Sequence, residues 1–183
     1  NGDAWVRDCL FNTAGDALFT ADDDGRVRAW ARSQDKFALT AEASHSHRVW
    51  CLALDEGSSR LFSAGNDSVI RVWETASLKK LNLYEGHGSW IRSMSLLQDG
   101  RVLVSGSEDQ TLRFWRTEGG RCFRRRTGYA RRVFAIGFGS EDVLVCGTGD
   151  HKLVKFDLGV DEGRSSYFQP GRVCQRRRRG EGV

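Results

Sequence analysis

Short runs of alternating hydrophobic and polar residues recur along the chain, and turn-forming residues separate them. Residues 86–126 contain four such runs, WIRSMSLL, RVLVSGS, TLRFW and GRCFRRR, divided by QDG, EDQ and TEGG. An apolar residue at every second position is typical of a strand, and Gly, Asp and Ser-type residues between strands are typical of tight turns. Since few residues keep a helical period, the pattern predicts an all-β fold of four-stranded meanders.

The meander repeats along the chain with a nearly constant period. Aligned on the aromatic residue that closes the third run, the copies are spaced by 43, 42 and 41 residues, at Trp30, Trp73, Trp115 and Phe156. A period of this size is the sequence signature of a repeat architecture, in which each unit packs on its neighbours. The first run of each copy is the most apolar and is expected to lie innermost; these runs are residues 6–11, 49–54, 91–96 and 133–138.

Polar residues stand at fixed distances before this aromatic residue. An Asp lies six residues before it in every copy, a hydroxyl ten residues before it in three copies, and a His 28 residues before it in two. An indole N–H can donate to a hydroxyl, a hydroxyl to an imidazole and an imidazole to a carboxylate, so such a set satisfies its own buried polar groups. The complete sets are His45, Ser63, Asp67 and Trp73, and His87, Ser105, Asp109 and Trp115; partial sets are Thr20, Asp24 and Trp30, and Asp150 alone.

These sets, together with the GH pair at 86–87 and the blocks SGSEDQTLRFW, SAGNDSVIRVW and TADDDGRVRAW, resemble the WD-repeat β-propeller family. The resemblance covers about residues 3–158 and implies four four-stranded antiparallel blades, each stabilised by its tetrad of polar residues and Trp. The implied repeats are about 1–43, 44–85, 86–127 and 128–158, followed by a basic, poorly ordered tail over 159–183.

The chain also departs from the family pattern. The Trp-Asp dipeptide that names the family is absent from the three copies that have the Trp. In the first copy Gly2 stands where the resemblance expects His, and in the fourth Tyr129, Cys146 and Phe156 replace His, hydroxyl and Trp. Those two copies are therefore expected to have incomplete tetrads.

A propeller is a closed ring, because an open row exposes apolar blade faces and unpaired strand edges. The first copy starts directly at its inner strand, and after Phe156 only SSYFQ at 165–169 suggests a further strand. We therefore expect an open, incomplete ring of four blades, which further blades or oligomerisation would close.

The tetrads also permit an enzymatic interpretation, since Ser63, His45 and Asp67 are the residue types of a catalytic triad. A nucleophile must reach its substrate, however, and this set is expected to lie buried beneath its Trp and recurs in the next copy. The DDDG stretch at 22–25 lacks the Glu of a calcium loop, because Ala31 occupies the twelfth position. We therefore expect no enzymatic activity, no metal and no other cofactor.

The start of each inner strand carries one aromatic residue and one arginine. Since these starts lie at the same end of the blades, we expect their side chains to share one face with the residues before the tetrad Asp positions. Trp and Arg are enriched at binding hot spots, so this face is the candidate site for partner proteins, with packing between blades as the alternative. The pairs are Trp5 and Arg7, Arg48 and Trp50, Trp90 and Arg92, and Arg132 and Phe134.

Charge adds a second functional hypothesis. The 183-residue chain has a formal net charge of +4, and residues 159–183 hold six basic and three acidic side chains. Residues 121–132 and the RRRR run at 176–179 suggest a module that associates with RNA or ribonucleoprotein. A protected strand edge and a disordered basic end explain the same residues, and the RRRR run also suits a nuclear-import signal.

The five cysteines are scattered without a C-x-x-C pair, so we expect reduced thiols in a cytoplasmic or nuclear protein. Cys9 and Cys51 fall in apolar strand patterns and are expected to be small core residues; the others are Cys122, Cys146 and Cys174. No stretch of eighteen apolar residues is present, so no membrane span is expected.

Overall fold

Fifteen strands and no helix make up the part of the chain that the computed structural model describes, which is residues 4–97, 100–127, 129, 132–138, 143–150 and 153–157. The predicted all-β fold is confirmed. Because the described ranges contain no helix, they contain no helical segment that could cross a membrane. The tail over 159–183, with Cys174, the RRRR run and SSYFQ, lies outside the described residues.

The strands form four antiparallel sheets, called blades 1 to 4, and each sheet is a meander in chain order. Blades 1 and 2 comprise β1 (Val6–Phe11), β2 (Ala17–Asp22), β3 (Arg26–Ser33) and β4 (Lys36–Ser44), then β5 (Val49–Asp55), β6 (Arg60–Gly65), β7 (Ile70–Glu74) and β8 (Lys80–Tyr84). Blades 3 and 4 comprise β9 (Ile91–Leu97), β10 (Val102–Ser107), β11 (Leu112–Arg116) and β12 (Cys122–Arg126), then β13 (Val133–Phe138), β14 (Val143–Thr148) and β15 (Leu153–Asp157).

The first strand of each blade packs against the first strand of the next, β1 on β5, β5 on β9 and β9 on β13. These are the strands predicted to lie innermost. Side-chain oxygens fix the contact at two of the three junctions: Asp8 Oδ2 accepts from the Leu52 amide at 2.8 Å, and Ser93 Oγ accepts from the Ile136 amide at 3.1 Å. Packing follows chain order, so the described blades form an open row.

The hydrophobic core is divided into three clusters, one at each junction between neighbouring blades. A single sheet cannot bury both of its faces, so each blade is stabilised mainly by the apolar side chains of its neighbours. The clusters are centred on Phe19, Val49 and Trp73 between blades 1 and 2, on Phe62, Tyr84 and Trp115 between blades 2 and 3, and on Phe114, Val133 and Leu144 between blades 3 and 4.

The prediction that Cys9 is a core residue is wrong, and the position of β1 at the end of the row of blades explains why. The neighbouring Leu10 packs against the core shared with blade 2, so the alternation of β1 directs Cys9 and Phe11 to the opposite side. On that side Cys9 is exposed, and Phe11 is 55% exposed. Cys51 is buried as predicted, and the four cysteines of the described part, Cys9, Cys51, Cys122 and Cys146, form no disulfide.

Candidate functional site

The complete polar sets of blades 2 and 3 each form a continuous hydrogen-bonded chain. In blade 2, Trp73 Nε1 donates to Ser63 Oγ at 2.7 Å, and Ser63 Oγ lies 2.6 Å from His45 Nε2. His45 Nδ1 lies 3.0 Å from Asp67 Oδ2. The corresponding distances in blade 3, from Trp115 through Ser105 and His87 to Asp109, are 2.8, 2.7 and 2.8 Å.

These hydrogen-bonded networks determine which ring nitrogen of each histidine carries the hydrogen. The indole N–H can only donate, so the serine hydroxyl accepts from Trp and gives its own proton to Nε2. Nδ1 of the neutral imidazole then carries the hydrogen that the carboxylate accepts. Burial lowers the pKa of His45 and His87 below the ordinary value, although the facing carboxylates act to raise it. Both rings are therefore neutral at pH 7.

The tetrad carboxylates remain ionised. Burial alone would raise the pKa of Asp67, but the hydrogen bond from His45 and the neighbouring Arg71 guanidinium hold it well below its usual range. For Asp109 the same result follows from His87, the Gly88 amide and the Thr111 hydroxyl, which outweigh burial. Each tetrad therefore places a neutral ring against an anionic acceptor.

In blade 1 the structure brings Trp30 and Thr20 together but leaves Asp24 outside the network. Trp30 Nε1 donates to Thr20 Oγ1 at 3.0 Å, as the spacing suggests. Asp24 is exposed, and the buried carboxylate of this turn is Asp22, which accepts from the Asp24 and Arg26 amides at 3.0 and 2.9 Å. No His stands opposite Asp24 among the described residues, so nothing draws its carboxylate inward.

Blade 4 replaces the tetrad with other contacts. Thr148 Oγ1 donates to Asp150, while the Tyr129 hydroxyl and the Cys146 thiol are hydrogen-bonded to each other. Burial raises the pKa of Cys146 to about 11, so this thiol stays protonated and serves as a core residue. The side chain of Phe156 lies outside what the structure describes.

A catalytic use of the tetrads conflicts with their burial. Ser63 and Ser105, the would-be nucleophiles, are both 0% exposed. Each hydroxyl also lies between an indole and an imidazole, which leaves no approach for a substrate carbonyl. In the described ranges, no group of three or more His, Cys, Asp and Glu side chains is placed to hold a metal ion.

The face predicted from the strand starts is built by one backbone hydrogen bond that recurs in all four blades. The amide of the residue before the tetrad Asp position donates to a carbonyl just before the inner strand. The four bonds, at 2.9 to 3.1 Å, run from Asp23 to Trp5, Asn66 to Arg48, Glu108 to Trp90 and Gly149 to Arg132. Each turn is thereby held beside the aromatic residue and arginine of its own blade.

The order of aromatic residue and arginine alternates from blade to blade. Blade 1 reads Trp5 then Arg7, blade 2 Arg48 then Trp50, blade 3 Trp90 then Arg92, and blade 4 Arg132 then Phe134. This alternation places guanidinium groups beside the rings of neighbouring blades. We call these eight residues the ladder face.

The ladder is continuous from blade 1 to blade 4. Arg7 lies over the rings of Trp5 and Trp50, at 5.1 and 4.9 Å from the ring centroids. Arg92 lies 4.1 Å from the Trp50 ring, 5.0 Å from Trp90 and 5.9 Å from Phe134. Cation–π contacts of this kind contribute about 0.5–2 kcal/mol each, depending on how far they are desolvated.

Two carboxylates hold the arginines in place. Asp23 pairs with Arg7 and also with Arg48, whose Nε lies 2.7 Å away. Glu108 accepts from Arg92 Nε at 2.7 Å and lies 3.4 Å from Arg132 Nη1. In blade 2 the neutral Asn66 occupies the same position and accepts from Trp50 Nε1. Four arginines therefore face two acids, and the ladder face carries excess positive charge.

The ladder residues divide into a supporting set and an outward set. Arg7, Trp50 and Arg92 are partly buried between their neighbours, so packing accounts for part of their role. Trp5 is 70% exposed and Trp90 39%, although both are large aromatic side chains. Arg132 and Phe134 are the remaining outward members, and Arg48 is partly buried like Arg7.

Sequence reasoning missed several supporting contacts. Tyr84 of β8 stacks on Trp115 with ring centroids 5.9 Å apart and donates to the Thr117 carbonyl at 2.8 Å. Arg28 bridges Asp22 and Glu42, and Arg60 pairs with Asp55. The Tyr84 contacts join two repeats, so no spacing within one repeat reveals them, whereas the Arg28 and Arg60 pairs lie within single repeats. The arginines of 121–126 lie on or beside β12, the outer edge strand of blade 3.

Comparison with known proteins places these features in a family. The model of the family described as "WD domain, G-beta repeat" matches residues 1–31, 38–74 and 78–116. Among solved structures, one titled "Structure of U3-55K" superimposes with a TM-score of 0.76 at 20% sequence identity, covering 86% of this chain and 50% of that one. At that identity the likeness shows the fold alone.

Two curated relatives are similar in sequence. The chain is 29% identical over 158 residues to the DENN domain and WD repeat-containing protein SCD1 of Arabidopsis thaliana, covering 85% of this chain and 12% of that protein. It is 30% identical over 144 residues to the Nuclear distribution protein PAC1-2 of Uncinocarpus reesii, covering 66% of this chain and 31% of that protein. The chain thus spans less than a third of either relative.

Proposed function

The chain belongs to the WD-repeat family, and we propose that it is a non-catalytic scaffold that binds partner proteins through its ladder face. WD-repeat proteins generally act as protein-interaction scaffolds. The observation that carries the proposal is the outward pair Trp5 and Trp90, which are large, exposed aromatic residues set among arginines on one face. Aromatic residues and arginines dominate the binding energy of protein interfaces.

The supporting residues explain how such a face would bind without a large ordering cost. Arg7 and Arg92 are held by carboxylates and rings on both sides, so their side chains are largely immobilised before a partner arrives. Side chains that are ordered beforehand lose less entropy on association. The excess positive charge favours a partner segment that carries acidic as well as apolar side chains. We assign the protein to the cytoplasm or nucleus as part of this proposal.

The proposal also concerns how the open row of blades is completed at blade 1. Cys9 and Phe11 of blade 1 lie on the side away from blade 2, where Cys9 is exposed and Phe11 is 55% exposed. We propose that further blades or a second copy of the chain cover this side, as ring closure in a propeller would require. Light scattering of the purified chain tests this: a concentration-dependent dimer or larger assembly is expected, and a monomer at all concentrations contradicts it.

Affinity capture from the source cell tests the ladder face. The immobilised chain is compared with the Trp5→Ala, Trp90→Ala double variant and with Phe123→Ala, which removes a 42% exposed aromatic residue from the outer strand of blade 3. The double variant should lose the captured proteins, whereas Phe123→Ala should keep them. Capture that survives the double variant contradicts the proposal.

The same capture separates the nucleic-acid alternative. Binding to phosphates through residues 121–132 or the tail would fall steeply with salt and would disappear after nuclease treatment. Recognition anchored by Trp5 and Trp90 should withstand both treatments.

A further inference from the structure

A second concave site lies at the end of the sheets opposite the ladder face. It is a cavity of about 740 Å³ between blades 2 and 3, at the start of β6 and the end of β11. We call it the arginine cleft. Its side-chain lining consists of Ser58, Arg60, Arg101, Arg116, Thr117 and Glu118.

The repeat supplies an internal comparison, because the junction of blades 1 and 2 forms a corresponding cleft of about 290 Å³. Counted from the tetrad hydroxyl, Arg60 occupies the position of Ala17, and Arg101 that of Ser59. Arg116 follows its Trp where the preceding blade has Glu74. Three arginines thus stand where the preceding repeats have a methyl group, a hydroxyl and a carboxylate, of which Ala17 and Ser59 line the neighbouring cleft, so the repeat fold itself does not require them.

The charge of the arginine cleft is only partly balanced. Arg60 pairs with Asp55 at 2.8 Å and donates to the Thr117 carbonyl at 2.9 Å, which fixes its guanidinium group at the cleft. Within the described residues, Arg101 and Arg116 have no ion-pair partner, and Glu118 forms no ion pair with either. Arg116 lies 4.7 Å from the Phe123 ring centroid, which restricts its guanidinium group while leaving its donors available.

One donor at the site is buried without a partner. Arg60 Nε is inaccessible to solvent and makes no hydrogen bond to any described residue. Arg48 Nε and Arg113 Nε, which lie outside the cleft, are in the same state, so the argument for a ligand rests on the three arginines that line one cavity. Solvated surface arginines would explain Arg101 and Arg116 separately, but not their convergence with Arg60 on one cavity.

We propose that the arginine cleft binds an oxyanion of the phosphate class, carried by a phosphorylated protein segment or by a small phosphate ester. The planar guanidinium fork matches phosphate oxygens with two parallel hydrogen bonds, which makes arginine the preferred residue for this recognition. The cleft is separate from the ladder face, so the two sites can be occupied together.

The test uses the residues that blade 2 carries at the same repeat positions. The double variant Arg101→Ser, Arg116→Glu gives the cleft the residues of Ser59 and Glu74 and should fold normally, which a thermal melt checks. Arg32→Ser, on blade 1, removes an exposed arginine elsewhere and serves as the control. Calorimetric titrations at constant ionic strength use pyrophosphate, a short phosphoserine peptide and the same peptide without phosphate.

Saturable binding of a phosphorylated probe should weaken at least tenfold in the double variant and remain unchanged in Arg32→Ser. A phosphopeptide that binds at least tenfold tighter than pyrophosphate identifies a protein segment as the source, and the reverse order identifies a small phosphate ester. Absence of saturable binding to both phosphorylated probes overturns the proposal. Equal affinity of the original chain and the folded double variant also overturns it.

Discussion

Removing the Asp109 carboxylate by Asp109→Ala tests the energetic role of the tetrads. Asp109 accepts from His87 Nδ1 at 2.8 Å and from Thr111 Oγ1 at 2.7 Å, and both donors are buried. It also accepts from the amides of Thr111 and Gly88, each at 3.0 Å; Thr111 is buried, whereas Gly88 is exposed and its amide can turn to water. Each stranded buried donor costs about 1–3 kcal/mol.

The two buried side-chain donors of blade 3 can partly satisfy each other. Thr111 Oγ1 already lies 3.4 Å from His87 Nδ1, so the hydroxyl can accept from the imidazole once the carboxylate is gone. The imidazole and the hydroxyl thus leave about one unsatisfied group between them, and the buried Thr111 amide loses its acceptor as well. The free energy of unfolding should therefore fall by at least about 1–3 kcal/mol. In blade 2, Val69 stands at the Thr111 position and offers His45 no substitute acceptor, and Asp67→Ala also removes the ion-pair partner of the partly buried Arg71, so it should cost at least as much.

Equilibrium urea denaturation measures these losses, as a lower midpoint at unchanged slope. Asp24→Ala is the matched control, because Asp24 holds the same repeat position but is exposed and outside the tetrad network; its effect should stay within about 0.5 kcal/mol. If Asp109→Ala and Asp24→Ala lower the midpoint equally, the tetrads do not stabilise the blades as argued.

Two further predictions concern the core. His45 and His87 have a lower pKa in the folded than in the unfolded chain, so the unfolded chain binds more protons below about pH 6.5. The free energy of unfolding should therefore fall as the pH is lowered from about 6.5, by up to about 1.4 kcal/mol per pH unit for each histidine. A melting temperature that stays constant from pH 7 to 5 would be inconsistent with neutral, buried rings. Gly120 has a φ of 74°, and a Cβ there would lie 2.2 Å from the Tyr84 ring. Gly120→Ala should therefore lower the free energy of unfolding by more than about 1 kcal/mol in urea denaturation. Gly119 shares the left-handed backbone but has open space around it, so Gly119→Ala should cost less.

The fold and the complete tetrads follow from local pattern and period. A Trp, a hydroxyl, a His and an Asp at constant offsets meet because each repeat returns the chain through the same four-stranded meander. Asp24 lies at the same offset from its Trp but does not join a tetrad, because no described His stands opposite it to hold its carboxylate. Cys9 is exposed because β1 lies at the end of the row of blades, and the residues of β1 themselves do not indicate that position.

The ladder face could be predicted as a set of residues but not as a structure. The sequence places one aromatic residue and one arginine at each strand start. The stacking of Arg92 on Trp50 of the preceding blade depends on how two blades pack. The arginine cleft is likewise formed by side chains from two repeats, and only the junction brings Arg60 beside Thr117.

The affinity of a captured partner for the Trp90→Ala variant tests the central claim most directly. Trp90 is exposed and stacked on one arginine, so its removal should leave the thermal melt unchanged while weakening partner binding at least tenfold, as expected for a hot-spot residue. Phe123→Ala, with similar exposure outside the ladder face, should bind as the original chain does. Equal dissociation constants for Trp90→Ala, Phe123→Ala and the original chain would contradict the account.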